Sequence, residues 1–198
     1  MIKLKIKNLS EKPSNKKLKF VLISGIVLLF ISAPTVIYLL ESSGFQGELE
    51  KTQLGFDAEY IRNCFYTMTE QGLAYFVLGN LADYIFMVSY GSMIFSGALL
   101  ITRRLEKNSF NRKIGIVISL LGLSAAFSDG IENLFLLSMT LNPKGFPSWL
   151  AIPHSLFAHI KFKLIYLTVG WIFLATLYLI SSRVLRSSRS IFEMDVKT

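Results

Sequence analysis

The sequence has little charge and almost no cysteine. Only 17% of its 198 residues are charged, whereas 52% are hydrophobic and the mean hydropathy is +0.49. A typical soluble domain has about a quarter of its residues charged, so an ordinary soluble domain is excluded. The single cysteine, Cys64, cannot form an intramolecular disulfide, and without a C-x-x-C motif the chain is not expected to be a thiol oxidoreductase. G-x-S-x-G, P-loop and G-x-G-x-x-G motifs are also missing.

Long apolar runs are present instead, and they predict an all-α membrane protein built as a four-transmembrane-helix bundle. A span needs about 20 apolar residues, and it must be helical because lipid offers no partners for backbone groups. The first run is too long for the apolar region of a cleaved signal peptide, so we expect an uncleaved anchor. The predicted spans are at about 20–40, 75–102, 114–139 and 160–182. The predicted organisation is a basic arm at 1–17, a transmembrane domain at 18–183 and a tail at 184–198.

Positive charge is concentrated on one side of these spans. The chain has 21 Lys and Arg against 13 Asp and Glu, for a net charge of +8. Sixteen of the basic residues lie before the first span, between the second and third spans or after the fourth span, so the positive-inside rule predicts that both termini are cytoplasmic. We expect an integral protein of a plasma (inner) membrane, with the arm and tail disordered near anionic headgroups. No aromatic residues alternate with the lysines of the arm, so a nucleic-acid partner is not expected.

The first outer loop, residues 41–74, is predicted to contain a short interfacial helix. Asp57 is suited to be its N-cap, and Ile61, Phe65 and Met68 follow at helical spacing. An amphipathic helix of this kind can lie on the membrane surface. Cys64 is interpreted as a small apolar residue of this helix.

Small residues recur along the predicted spans at spacings that favour close helix packing. The third span has a stripe with spacings of four and three, and the fourth has one with a spacing of seven. Charged residues on these stripes therefore face other helices rather than lipid. The three stripes are Gly79, Asp83, Tyr90 and Gly97; Gly115, Ser119, Gly122, Ala126, Asp129 and Asn133; and Lys161, Thr168, Ala175 and Ser182.

The charged residues within the spans are predicted to lie at one depth, about 22–31 Å from the cytoplasmic edge at 1.5 Å per residue. An ionisable group inside a membrane is costly and indicates a functional site. Two interpretations remain open: a buried polar cluster, or interfacial charges with one structural Asp. The candidate cluster is Asp83, Tyr90, Asp129, Glu132, Asn133, Lys161 and Lys163, with Asp129, Glu132 and Asp83 as candidate catalytic groups.

His154 and His159 are weak candidates for metal ligands. Five residues correspond to 500° on a helix, so the two imidazoles do not share a face as i, i+4 ligands would. We expect interfacial histidines, no metal site and no cofactor.

The motifs, taken in order, resemble those of a family of small four-span integral membrane proteins without an assigned activity. The resemblance covers roughly residues 55–180, and a Pro-containing loop precedes its last residue. It implies a four-span fold and supports the polar cluster, but it implies no reaction. The residues that carry it are Asp57, Tyr60, Gly72, Tyr75, Asp83, Tyr90, Gly91, Asp129, Glu132, Asn133 and Lys161.

Three functions fit this pattern. The favoured hypothesis is a binding or scaffold protein whose partner is a membrane lipid, a small apolar ligand, a second copy or another membrane protein. The alternative is an enzyme that acts on a lipid-like substrate by carboxylate general acid/base catalysis. The third is a proton-coupled transporter in which Asp129 carries the proton. A tunnel to the cluster, a dry paired cluster, or a water file to the cytoplasm would distinguish a substrate site, a structural role and transport.

Overall fold

The computed structural model describes residues 9–107 and 109–195, and all regular structure within these residues is helical. Four of the helices are long and apolar enough to cross a membrane, which confirms the predicted helical architecture and the number of candidate spans. The elements in order are α1 (Asn15–Ser42), α2 (Leu49–Leu54), α3 (Ala58–Tyr66), α4 (Glu70–Thr102), α5 (Phe110–Thr140), a 3-10 turn (Ser148–Leu150) and α6 (Ala151–Asp195). The four candidate spans are α1, α4, α5 and α6.

The four long helices pack in chain order. α1 lies along α4, α4 along α5 and α5 along α6, with a smaller contact between α4 and α6. α4 and α5 are therefore central, whereas α1 and α6 leave large apolar side chains exposed, such as Phe20 and Phe30 on α1 and Phe173 on α6. Exposed apolar faces of this size are typical of helices that contact lipid or a membrane partner.

Helix α6 is longer than predicted at both ends. It begins at Ala151 because Pro153 lies in its first turn, where a proline costs no helical hydrogen bond. It continues to Asp195 and so includes most of the segment predicted to be a disordered tail, which corrects that prediction for residues 184–195. Residues 196–198 of the predicted tail lie outside the described residues.

The short elements form a cover at one end of the bundle, here called the loop end. Asp57 caps α3, its Oδ1 accepting hydrogen bonds from the backbone N–H groups of Glu59 (2.9 Å) and Tyr60 (3.0 Å), which confirms the predicted N-cap. The apolar side of α3 faces the protein, because Ile61 and Phe65 are buried in a core with side chains of α4, α5 and the second loop. α2, which precedes α3, contacts α6.

The opposite end, here called the basic end, holds the start of the described chain in place. Arg103 donates to the carbonyls of Leu9 (2.8 Å) and Pro13 (2.6 Å), and Arg112 donates to that of Ser10 (3.1 Å). Desolvation, together with the neighbouring Arg112, lowers the pKa of Arg103. Residues 9–14 are therefore docked rather than disordered, which corrects part of the prediction for the arm. Residues 1–8 lie outside the described residues.

The predicted seam of the third span is confirmed as a packing face. A Cβ on Gly122 would lie 2.6 Å from Ile94 Cγ2, and a Cβ on Gly91 would lie 2.7 Å from the Cβ of Ala126. Such distances are possible only because glycine lets the backbones of α4 and α5 approach closely. The stripe of the second span is divided between two partners. Gly79 approaches Leu40 of α1, whereas Asp83 and Tyr90 bond with residues of α5.

Candidate functional site

The centre of the site is a hydrogen-bonded chain across three helices. Asp129 on α5 accepts from Tyr90 Oη of α4 at Oδ2 (2.8 Å) and from Lys161 Nζ of α6 at Oδ1 (2.9 Å). All three residues are buried, with 6% of the Lys161 surface and 4% of the Asp129 surface exposed. Tyr90, Asp129 and Lys161 meet because each of them belongs to the small-residue stripe on the packing face of its own helix. Both oxygens of this buried carboxylate are therefore bonded.

Glu132 lies beside this chain and is fully buried. Its Oε2 is 2.5 Å from Lys161 Nζ, an ion-pair contact. Apart from this ion pair, the Glu132 carboxylate has no hydrogen-bond partner within the described residues. Glu132 thus combines complete burial with a single ion-pair partner, since its Oε1 has no partner among the described residues, and a buried polar atom in this condition needs an explanation.

Asp83 and Asn133 form the second part of the site. Asn133 is one turn beyond Asp129 on α5, and its Nδ2 donates to Asp83 Oδ2 on α4 at 2.7 Å. A second, longer approach of 3.5 Å joins the same amide to the carbonyl of Asn80. Asp83 is only half-buried, so this part of the site is more accessible from outside the bundle than the Glu132 carboxylate is.

A segment of the first loop covers the site from the loop end. We call Leu49–Phe56, which includes α2, the lid. Gln53 Oε1 lies 3.4 Å from Lys161 Nζ, and the backbone N–H of Phe56 donates to Ser155 Oγ at 3.1 Å. Phe56 has φ of 55°, a left-handed conformation that a bulky residue adopts at a cost of about 1–2 kcal/mol. The lid was not predicted, because nothing in the sequence connects Gln53 with a lysine 108 residues later.

His154 links the lid to the site. It was expected at the membrane interface, but it is fully buried. Its Nδ1 lies 3.3 Å from the carbonyl of Glu132 and its Nε2 lies 3.1 Å from that of Thr52 in the lid. A signal for its burial was present, because His154 precedes Lys161 by seven residues and so continues the stripe of the fourth span.

His159 has separate surroundings. Its Nδ1 lies 2.9 Å from the carbonyl of Ser155, and its ring stacks on Phe56 with centroids 5.3 Å apart. The two histidines therefore do not share a site. Within residues 9–107 and 109–185, no three His, Cys, Asp or Glu side chains are grouped so as to hold a metal ion.

Lys163 is not part of the site, which corrects its inclusion in the predicted cluster. It is exposed, and it has no hydrogen bond or ion pair among the described residues. The physical reason is helical geometry, since two residues correspond to 200° and Lys163 therefore points away from the face that carries Lys161. The other predicted members, Asp83, Tyr90, Asp129, Glu132, Asn133 and Lys161, are brought together.

Comparison with known proteins identifies no family. No family model, curated protein or solved structure matches this chain. The resemblance described above is therefore supported only at its coarse level, by four helices long and apolar enough to span a membrane.

The chemistry available in the site follows from its charges. Two carboxyl groups contact one ammonium group, a third carboxyl group, that of Asp83, contacts Asn133, and a phenol contacts the Asp129 carboxylate. Toward the basic end, the neighbouring packing is small and apolar, and the buried hydroxyls of Ser119 and Thr102 donate to carbonyls of their own helices. The polar groups able to bind or exchange a proton are therefore concentrated in the half of the bundle nearer the lid.

Proposed function

We propose that this protein is a multi-pass membrane protein that binds a lipid or small amphiphile at the polar cluster, beneath the lid. The observation that carries the proposal is Glu132, which is fully buried and whose Oε1 has no partner among the described residues. A buried acceptor left without a donor costs about 1–3 kcal/mol, and more when it is charged. A ligand hydroxyl or ammonium group near Glu132 would remove that cost.

The chemistry of the ligand follows from its surroundings. A headgroup that donates hydrogen bonds suits the Glu132 carboxylate, and an apolar remainder suits the exposed faces of the long helices. Binding sites commonly combine an apolar wall with a few polar groups that fix orientation. An amphiphile with a hydroxyl or amine headgroup meets both requirements.

The lid supports a route to the site. Its hydrogen bond from Lys161 to Gln53 is long, at 3.4 Å, and Phe56 holds a costly backbone conformation. Segments that open to admit ligands are drawn from the less stable parts of a protein. Opening of the lid would expose Lys161 and His154 without separating the long helices.

The orientation of the chain is part of the proposal. In the sequence, 16 of the 21 basic residues precede the first span, separate the second and third spans or follow the fourth, so we place both termini in the cytoplasm of a cell with a plasma (inner) membrane. The loop end then faces outward, α3 lies near the outer interface, and the ligand enters from the outer leaflet. A second copy or another membrane protein would pack on the exposed faces of α1 or α6.

Native mass spectrometry of gently extracted protein tests the binding proposal. We expect wild-type protein to retain a lipid-sized adduct and Glu132→Gln to lose it, because the amide brings its own donor. Glu41→Gln is the matched control, since Glu41 is exposed on α1, and it should retain the adduct. An adduct retained equally by all three proteins, or absent from wild-type protein, contradicts the proposal.

Asp129→Asn provides a second test. The substitution removes the charge that faces Lys161, so we expect loss of the adduct from a bundle that is still extracted in folded form. Failure of this variant to accumulate would instead assign Asp129 a structural role.

An enzyme with a lipid-like substrate is the second candidate function. It is favoured by the chain Tyr90–Asp129–Lys161 beside Glu132, because neighbouring carboxyl groups can serve as general acid and general base. Product formation from the retained lipid, lost in Glu132→Gln, would identify this activity. The apolar packing toward the basic end favours binding or catalysis over proton-coupled transport.

A further inference from the structure

A cavity lies at the basic end, opposite the end of the bundle that carries the lid. It has a volume of about 500 Å³ and is formed between the α4–α5 connection and α6. Its charged lining is Arg104, Glu106 and Arg183, and its apolar lining includes Tyr178 and Leu179. A cleft between membrane helices with arginines at its mouth is a common setting for lipid headgroups.

The arginines at this end fall into two groups with different surroundings. Arg103 and Arg112 are engaged with backbone carbonyls that hold residues 9–13 in place. Arg104 and Arg183 are exposed, and within residues 9–107 and 109–185 their guanidinium groups have no hydrogen bond or ion pair. Each guanidinium can donate five hydrogen bonds in a planar fork, so the cavity presents donors that no side chain in residues 9–107 and 109–185 uses.

The charge of the lining selects the sign of the ligand. Two guanidinium groups against the one carboxylate of Glu106 leave a net positive charge. Phosphate is the anion whose geometry matches the arginine fork, because two parallel N–H groups can bind two of its oxygens.

The apolar part of the cavity continues into the exposed face of α6. Tyr178 lines the cavity and is 58% exposed, and Leu174, one turn deeper on the same face, is 65% exposed. A ligand held by its phosphate at Arg104 and Arg183 could therefore lay acyl chains along Leu174. A free phosphate ion would leave this apolar surface uncovered.

We propose that this cavity binds the phosphate headgroup of an anionic phospholipid, with its acyl chains along α6. The site is separate from the polar cluster, since it uses other residues at the opposite end of the bundle and an anionic rather than a hydrogen-bond-donating headgroup. It does not depend on the function proposed above.

Thermal unfolding of the full-length protein in detergent tests this site. Phosphatidylglycerol should raise the unfolding midpoint of wild-type protein by several degrees, whereas phosphatidylcholine should not. In the double variant Arg104→Gln with Arg183→Gln, the apparent affinity for phosphatidylglycerol should fall about a hundredfold, as expected for loss of two charged hydrogen-bonding groups. If that variant is unstable without lipid, Arg104→Lys with Arg183→Lys keeps both charges but not the fork, and its affinity should fall about tenfold.

The matched control removes two other charges from the same end. Lys107→Gln with Lys113→Gln changes the net charge equally, at exposed positions outside the cavity, and should keep most of the affinity. An equal loss in this control would show diffuse attraction to anionic lipid and would overturn the proposal. Inorganic phosphate is the last ligand to be tested. If it raised the unfolding midpoint as much as phosphatidylglycerol does, the assignment to a lipid would also be overturned.

Discussion

Replacement of Lys161 by methionine is the most direct perturbation of the polar cluster. The ammonium group contacts two carboxylates, Asp129 Oδ1 at 2.9 Å and Glu132 Oε2 at 2.5 Å. Methionine fills a similar volume but supplies neither charge nor donor. We expect the free energy of unfolding to fall by about 3–5 kcal/mol, the range found when one partner of a buried ion pair is removed.

The magnitude follows from the charges that remain. Two carboxylates that contact the same nitrogen are on the order of 5 Å apart, and at an effective dielectric constant of about 20 they would repel by about 3 kcal/mol. In the variant, Asp129 would still accept a hydrogen bond from Tyr90, whereas Glu132 would have no favourable partner among the described residues. The expected loss is therefore chiefly the uncompensated charge on Glu132.

Unfolding by titration of sodium dodecyl sulfate into mild-detergent micelles, followed by circular dichroism, measures this loss. Lys163→Met is the matched control, because it removes the same group two residues away on the same helix from an exposed position. Its free energy of unfolding should stay within about 0.5 kcal/mol of the wild-type value, as is usual for surface substitutions.

A double variant separates charge from packing. Lys161→Met with Glu132→Gln removes the repelling carboxylate, so it should recover at least about 1 kcal/mol of the loss. Equal unfolding midpoints for Lys161→Met and Lys163→Met would refute the reasoning. No recovery in the double variant would assign the loss to packing of the lysine stem rather than to charge.

Two further predictions concern packing and reactivity. Gly91→Ala should lower the free energy of unfolding by about 1–3 kcal/mol, because its Cβ would lie 2.7 Å from that of Ala126. The control Gly170→Ala, with nothing within 4 Å of its Cβ, should leave that free energy unchanged or raise it. Equal effects of the two variants in the same detergent titration would contradict this prediction. Burial raises the pKa of the Cys64 thiol, so at pH 8 the folded protein should hold less thiolate than a free cysteine, whose pKa is about 8.5. Its reaction with maleimide should be slow until the chain is unfolded, and labelling at the rate of the unfolded chain would argue against burial.

Most of the fold could be predicted because a membrane imposes length and composition on each span. The stripe spacing also placed Asp129 and Asn133 on a packing face, since small residues preceded them along the same side of α5. The same rule, applied strictly, excludes Lys163 and includes His154, seven residues before Lys161. Lys163 was grouped with the cluster by depth alone, and His154 was compared only with His159, so the helical angle relative to Lys161 was used for neither.

The lid could not be predicted, for a different physical reason. Its contacts join residues about 100 positions apart, such as Thr52 with His154 and Gln53 with Lys161. Such pairs are fixed by how α3 packs on the loop end, through the buried side chains of Ile61 and Phe65. Local periodicity carries no information about the partner of a loop residue.

The two halves of the bundle are held together by different forces, and this difference has a consequence for binding. Toward the basic end, α4 and α5 meet through glycines whose close approach allows little change in separation. Near the lid, the same helices and α6 are joined by the hydrogen bonds and ion pairs of Tyr90, Asp129 and Lys161. Polar contacts of this kind can be exchanged for polar contacts with a ligand. The close backbone contacts at the glycines have no such replacement. Rearrangement on binding should therefore be confined to the lid and the adjacent half of the site, with the glycine seam as its fixed base.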